Sequence, residues 1–192
     1  MYIVEKKMFG AVVVLYNPTK DEIKNINTYK NLVAQTIVID NSETSHRELV
    51  DQIVTLDSKV IYYSAQKNIG LCKALNMGIK ILTENGCQWT LVFDADSKMG
   101  SDIVTVYKKA IDYYSNLITL ESNEIAVFAP VHVFERSKNR SYQGYKDVEW
   151  VMTSGCLFNC EIFKKQNGFM EELFVDGLDM DYCFKSHEKG YR

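Results

Sequence analysis

Two carboxylates two residues apart, Asp94 and Asp96, end the apolar run WTLVFDADS at residues 89–97. In extended backbone an i, i+2 pair turns to one side, with the two groups roughly 6 to 7 Å apart. A hard cation with its waters fits between such groups. Magnesium and manganese take oxygen ligands and are commonly held by one or two carboxylates plus substrate phosphates, so an open pair suits a diphosphate ligand. An acidic surface turn is the plainer reading of the same two residues.

Three further stretches carry candidate chemistry. Asp40 closes IVIDNS at 37–42, where a buried carboxylate needs a partner. A nucleobase ring N–H would serve; so would a cap on a turn or on the helix after Ser42. Asn68 and Gly70, in KNIG at 67–70, precede a helical pattern whose first N–H groups favour phosphate or carboxylate. The alternative there is a plain cap, with Gly78 allowing close helix packing. Asp176, Asp179 and Asp181 cluster near the end, in FVDGLDMDY at 174–182. Acidic residues collect at helix starts because they complement the dipole, but a carboxylate there, facing a cleft, could also act as a general base.

These residues need a scaffold, and the apolar pattern supplies one. Runs at 11–16, 36–40, 60–63, 90–94 and 125–129 are apolar enough to be strands covered on both faces. Between them Leu71, Ala74, Leu75, Gly78, Ile79 and Leu82 recur at helical spacing, as do Ile103, Tyr107, Ala110, Ile111 and Tyr114, with Ser101 as a candidate cap. A weaker helical pattern covers about 20–34. Alternation of this kind predicts an α/β fold with a mostly parallel central sheet and helices on both faces. Ligands of such sheets lie at the carboxyl ends of the strands. Those ends read Tyr16-Asn17-Pro18, Asp40-Asn41-Ser42 and Asp94-Ala95-Asp96. Residues 131–149 are polar and aperiodic, which predicts a long loop or irregular hairpin. The chain ends on an apparent helix stopped by Gly190, so further polypeptide after residue 192 is expected.

Composition narrows the function classes. The 192 residues are 46% hydrophobic and 24% charged with a net charge of -3, which predicts one globular domain and no electrostatic footprint for nucleic acid. Five cysteines are scattered without CxxC spacing, which argues against a disulfide framework or zinc site and for a reducing cytoplasm. No stretch of about 18 apolar residues occurs, so no transmembrane segment is expected. Any attachment to the inner membrane face would fall to a part beyond residue 192.

Taken in order, VVVLYNP at 12–18, IVIDNS at 37–42, NIGLCKALNMGI at 68–79, LVFDADS at 91–97, TSGCLF at 153–158 and the final GFMEELFVDGLDMDYCFKSHEKGYR resemble family 2 of the glycosyltransferases. Within it they look most like the rhamnosyltransferases. The resemblance implies the GT-A fold, here a single catalytic domain over 1–192 truncated at its C-terminus. It also implies an inverting transfer from a nucleoside-diphosphate sugar, dTDP- or UDP-linked, to a glycan or lipid-linked glycan. On that footing Tyr16 and Asn17 would line the nucleotide pocket, and Asp40 would accept from the base. Asn68 and Gly70 would approach the nucleoside. Asp94 would meet the ribose or the metal shell, and Asp96 would ligate Mg2+ or Mn2+. Asp179 would be the catalytic base, while Ser154 and Gly155 would shape the sugar and acceptor side. Leu178 stands where many relatives have glutamate, and Lys185 where an arginine is frequent. The rival readings are a phosphatase with a DxD nucleophile, a sugar-nucleotide pyrophosphorylase, and a nucleotide-sugar-binding module without activity.

Overall fold

The computed structural model describes residues 8–117, 124–131 and 144–192. Among these residues six strands form one sheet: β1 (Phe9–Leu15), β2 (Gln35–Asp40), β3 (Val60–Ser64), β4 (Trp89–Asp94), β5 (Val127–Phe128) and β6 (Leu157–Asn159). Their spatial order is β3-β2-β1-β4-β6-β5. β1, β2, β3 and β4 are parallel, whereas β6 runs antiparallel to β4 and β5. The expected mostly parallel sheet is therefore present, with an antiparallel edge.

Among the described residues six α-helices cover it: α1 (Lys20–Asn25), α2 (Arg47–Val54), α3 (Leu71–Glu84), α4 (Ile103–Leu117), α5 (Cys160–Lys165) and α6 (Leu178–Glu188). Every residue of β1 is buried, and its side chains alternate between two cores, as the pleat requires. Val12 and Val14 join Ile79 and Leu82 of α3, Phe163 of α5 and Tyr182 of α6. Ala11, Val13 and Leu15 join Ile23 of α1, Val50 of α2 and Tyr107 of α4. α3 lies tight on the central strand because Gly78 lacks a side chain; a Cβ there would come within 2.6 Å of Val12 Cγ1. The packing reading of Gly78 thus holds.

Several sequence expectations shorten. The helix over about 20–34 is only α1, opened by a Thr19/Glu22 capping box, followed by one 3-10 turn at Ile26–Thr28. Thr28 Oγ1 donates to the Asn25 carbonyl (2.7 Å) and Asn25 Nδ2 donates to the Ala95 carbonyl (2.9 Å), so short polar side chains take up groups that a longer helix would use. α4 begins directly after Asp102, whose carbonyl accepts from Val106 N–H, which moves the cap position on from Ser101. The strand expected at 125–129 is reduced to two residues. Most of the loop expected over 131–149 falls at 132–143, outside the described residues. All five cysteines are buried thiols, none in a disulfide.

Candidate functional site

The site follows from strand order. From β1 the chain steps outward to β2 and β3, then returns to place β4 on the other side of β1. That reversal lies between β1 and β4, and the carboxyl ends flanking a reversal are where open α/β sheets bind ligands. Tyr16 and Asn17 leave β1 there, and Asp94, Ala95 and Asp96 leave β4 beside them. Tyr16 is half exposed. Asn17 takes φ 46°, and its N–H donates to Ser42 Oγ at 2.8 Å, which ties the end of β1 to the end of β2.

The acidic pair does not continue the strand. β4 stops at Asp94, and Ser97 N–H donates back to the Asp94 carbonyl at 3.1 Å, closing a turn over Ala95 and Asp96. Spacing derived for extended backbone therefore does not apply across Ala95. α1 and the turn after it brace this turn from one side, through Asn25 Nδ2 on the Ala95 carbonyl and Met99 N–H on Thr28 Oγ1 (3.2 Å). Both carboxylates are exposed.

Antiparallel β6 brings a distant segment to the same place. Because it runs against β4, the residues entering it sit at the outgoing end of β4. Gly155 N–H donates to the Val92 carbonyl (2.7 Å), Asp94 N–H donates to Ser154 Oγ (3.2 Å), and Ser154 Oγ lies 2.5 Å from Ser97 Oγ. Tyr107 O–H donates to the Gly155 carbonyl at 2.6 Å, and Gly155 has φ 80°. Ser154 and Gly155 are thus assembled against Asp94. Ser97 and Tyr107 complete the arrangement; the sequence shows Ser97 only as the residue after the acidic pair and Tyr107 only as a core position of the helix, with nothing to mark either as part of a site.

α6 delivers Asp179. Gly177, in left-handed backbone (φ 78°), starts the helix, and Asp179 is half-buried in its first turn. One oxygen accepts from Met180 N–H at 2.9 Å, and the other has no hydrogen-bond partner among the described residues. Its neighbours differ: Asp181 pairs with Lys185 at 3.1 Å, and Asp176 is exposed. Lys185, at the family's arginine position, also reaches the Gly168 carbonyl (3.5 Å). Leu178, next to Asp179, packs in the same core cluster as Val92 of β4 and Cys156. Burial pushes the Cys156 thiol well above the usual thiol range, and Asp179 and Asp94 push the same way.

Asp40 and Asn68 are engaged more fully within the chain than the sequence suggests. Asp40 is completely buried; it accepts from Ser42 N–H (3.1 Å), His46 N–H (2.8 Å) and Tyr62 O–H. Burial raises its pKa, but hydrogen bonds from Ser42, Tyr62 and His46 outweigh that and hold it below the usual carboxylate range. Asn68 Oδ1 accepts from Asn41 Nδ2 and Gly70 N–H, both at 3.0 Å. The α3 terminus is not open to an anion at its first two positions, as the sequence reading had it. Gly70 is the N-cap, without a side-chain cap, and the Phe174 carbonyl accepts from Leu71 N–H (2.6 Å) and Cys72 N–H (3.2 Å). A carbonyl from the far end of the chain satisfies those donors, which local sequence could not show.

A cavity of about 1070 Å³ lies between β5, residues 144–152 and α6. Its lining includes Tyr114, Phe128, Trp150 and Met152 but none of Asp94, Asp96 or Asp179. Among the described residues no group of three or more His, Cys, Asp or Glu side chains could hold a metal alone. Asp94 and Asp96 fit a cation as exposed oxygen donors, but the remaining ligands would have to come from a diphosphate and water. Among the described residues no helix is long and apolar enough to cross a membrane.

Comparison with known proteins agrees with this fold. The chain is 28% identical over 198 residues to the dTDP-rhamnosyl transferase RfbF of Shigella flexneri, covering 91% of this chain and 62% of that protein. Among solved structures, S. aureus TarS superposes with a TM-score of 0.59 at 16% identity over 93% of this chain and 33% of TarS. GalNAc-T7 with UDP, GalNAc and Mn2+ superposes with 0.65 at 13% identity over 96% of this chain and 41% of its own. Both share the GT-A fold found here. Residues 12–116, more than half of the chain and reaching from β1 through the acidic turn into α4, match the family described as Glycosyl transferase family 2, and the chain belongs to that family.

Proposed function

We propose that the chain is the catalytic part of an inverting glycosyltransferase. It would move a deoxyhexose, L-rhamnose first among the candidates, from a dTDP- or UDP-linked donor to a glycan or lipid-linked glycan. The observation that carries this reading is the meeting of three elements at the reversal point of the sheet. The 153–156 turn entering β6 is hydrogen-bonded to the end of β4 and to the acidic turn, and Leu178 in the first turn of α6 packs in the same core cluster as Cys156 and Val92. Family membership and the rhamnosyl transferase relative support it, although the chain spans only 62% of that relative.

In this reading the β1 end and Asn68 receive the nucleoside, and Asp94 faces the ribose side. Contact between a base N–H and Asp40 would require sharing by a carboxylate that already accepts from Ser42 N–H, His46 N–H and Tyr62 O–H, with His46 Nδ1 also 3.1 Å from Oδ2. A Mg2+ or Mn2+ ion held by Asp96, with Asp94 beside it, would supply positive charge against the donor diphosphate. Asp179 accepts the proton of an acceptor hydroxyl as that oxygen bonds to the anomeric carbon. The bond from that carbon to the diphosphate oxygen breaks, the electron pair leaves with the diphosphate, and the centre inverts in one displacement. Ser154 and Gly155, fixed on Asp94 and Tyr107, shape the side from which the acceptor enters.

The test is Asp179→Asn beside Asp176→Asn, each assayed for nucleoside diphosphate affinity and for turnover of dTDP-rhamnose with an acceptor extract or water. Loss of a general base typically costs about 10² to 10⁴ in rate, so Asp179→Asn should lose turnover at nearly unchanged affinity while Asp176→Asn keeps both. Normal turnover in Asp179→Asn would remove that residue from the mechanism. The ion pair with Lys185 leaves Asp181 a poor substitute.

A further inference from the structure

Residues 168–177 connect α5 to the start of α6, and α3 holds this strap at two places. Asn76 Nδ2 donates to the Phe169 carbonyl, and Asn76 Oδ1 accepts from Phe169 N–H, both at 2.9 Å. One side chain thus pairs with a backbone unit on both sides, as a neighbouring strand would. Gly168, at φ 68°, makes this possible: a Cβ there would stand 2.5 Å from Asn76 Oδ1. The second hold is the Phe174 carbonyl on Leu71 and Cys72 N–H.

At the second hold the backbone is strained. Phe174 has φ 61° and ψ -61°, and Val175 N–H donates to the Leu173 carbonyl at 2.7 Å. This is a γ-turn of the rare sort that a bulky residue adopts only when its surroundings impose it. Three residues later Gly177 starts α6, and Asp179 follows. The ring of Phe169 is separately fixed in the core, with its centroid 5.4 Å from that of Tyr182 of α6 and 5.0 Å from that of Phe163.

We infer that Asn76 is a positioning residue for Asp179: by locking Phe169 to α3 it imposes the strap geometry that sets where α6 begins. This rests on the transferase reading for its consequence in turnover, but not for its structural part. Aromatic packing of Phe169 and Tyr182 keeps α6 folded when the lock is removed, so the loss is one of placement. A misplacement of about 1 Å at a reacting group can cost up to about a hundredfold in rate.

The experiment compares wild type, Asn76→Leu and Gly168→Ala, the last attacking the same joint from its other partner. Backbone hydrogen exchange is read over residues 169–181, with affinity for dTDP in manganese and kcat for dTDP-rhamnose turnover. Both variants should exchange faster over 169–179, bind dTDP within about twofold of wild type, and lose about ten- to a hundredfold in kcat. A merely structural role would lower thermal stability and leave kcat at low temperature intact. Wild-type exchange over 169–181 in Asn76→Leu, or wild-type kcat with the exchange raised, overturns the inference. Absence of turnover in wild type itself, with the exchange change present, counts against the transferase reading and supports the joint.

Discussion

Replacing Asp40 by Asn separates the two roles that its position allows. The carboxylate is completely buried and receives Ser42 N–H on Oδ1, with His46 N–H and Tyr62 O–H on Oδ2. An amide keeps one acceptor oxygen and sets an NH2 against whichever donors faced the other. At least one charge-assisted hydrogen bond is lost, at about 1.5 to 3 kcal/mol, and a buried donor is left facing a donor, so a total of about 3 kcal/mol is expected. For a chain of this size that corresponds to a melting temperature lower by about 6 to 12 °C. The pH dependence has a fixed sign. The native pKa is depressed, so this stabilisation is present above the unfolded carboxylate pKa, about 3.9, and is lost as pH falls through the native value. The gap between wild type and variant should be full at pH 6 and close in acid. Circular-dichroism melts across that range, paired with dTDP titrations, measure it. Unchanged melting with sharply weakened nucleotide binding would refute the turn-anchoring argument and make Asp40 a base ligand first.

Two other substitutions probe different links. Asp96→Asn should weaken dTDP or UDP binding in manganese and flatten its dependence on the cation in calorimetric titrations; equal wild-type affinity in excess chelator and in manganese would sink the metal assignment. Gly78→Ala places a Cβ 2.6 Å from Val12 Cγ1 and 2.9 Å from Val12 Cγ2, so it should cost about 1 to 3 kcal/mol in chemical denaturation, and a neutral result would mean that α3 shifts freely over β1.

β1 to β4 were legible as short apolar runs covered on both faces, and α3 and α4 because each lays a periodic apolar face against the sheet; β6, only three residues long, was not among the runs read. Leu71, Ala74, Leu75, Ile79 and Leu82 announce α3 by spacing alone, and the acidic pair announces itself by following an apolar strand. What stayed hidden depends on contacts far apart in sequence. Nothing around residue 40 shows that Tyr62 will donate to it, and nothing around 71 shows that its N–H will meet the carbonyl of 174. The extended geometry assumed for Asp94 and Asp96 failed for a local reason: Ser97 closes a turn that no apolar periodicity reports. α1 ended early for a similar reason, since Asn25 and Thr28 bond to the backbone rather than continue the helix.

α3 links the cores to the chemistry. Its buried face, with Gly78 on Val12, fixes the helix against β1, and β1 carries Tyr16 and Asn17 at its end. Its half-exposed Asn76 and its first N–H groups hold the strap that leads to Asp179. The proposed nucleotide end of the cleft and the candidate base are therefore referred to one rigid element, even though 162 residues of sequence lie between Tyr16 and Asp179. A single displacement needs donor and base held in fixed relation while the acceptor arrives, and orientation of this kind is a large part of what an active site contributes. A helix seated on the central strand by a glycine can transmit that relation with little play. A substitution that lifts α3 by a few tenths of an ångström should thus reach the base end of the cleft as well as the nucleotide end.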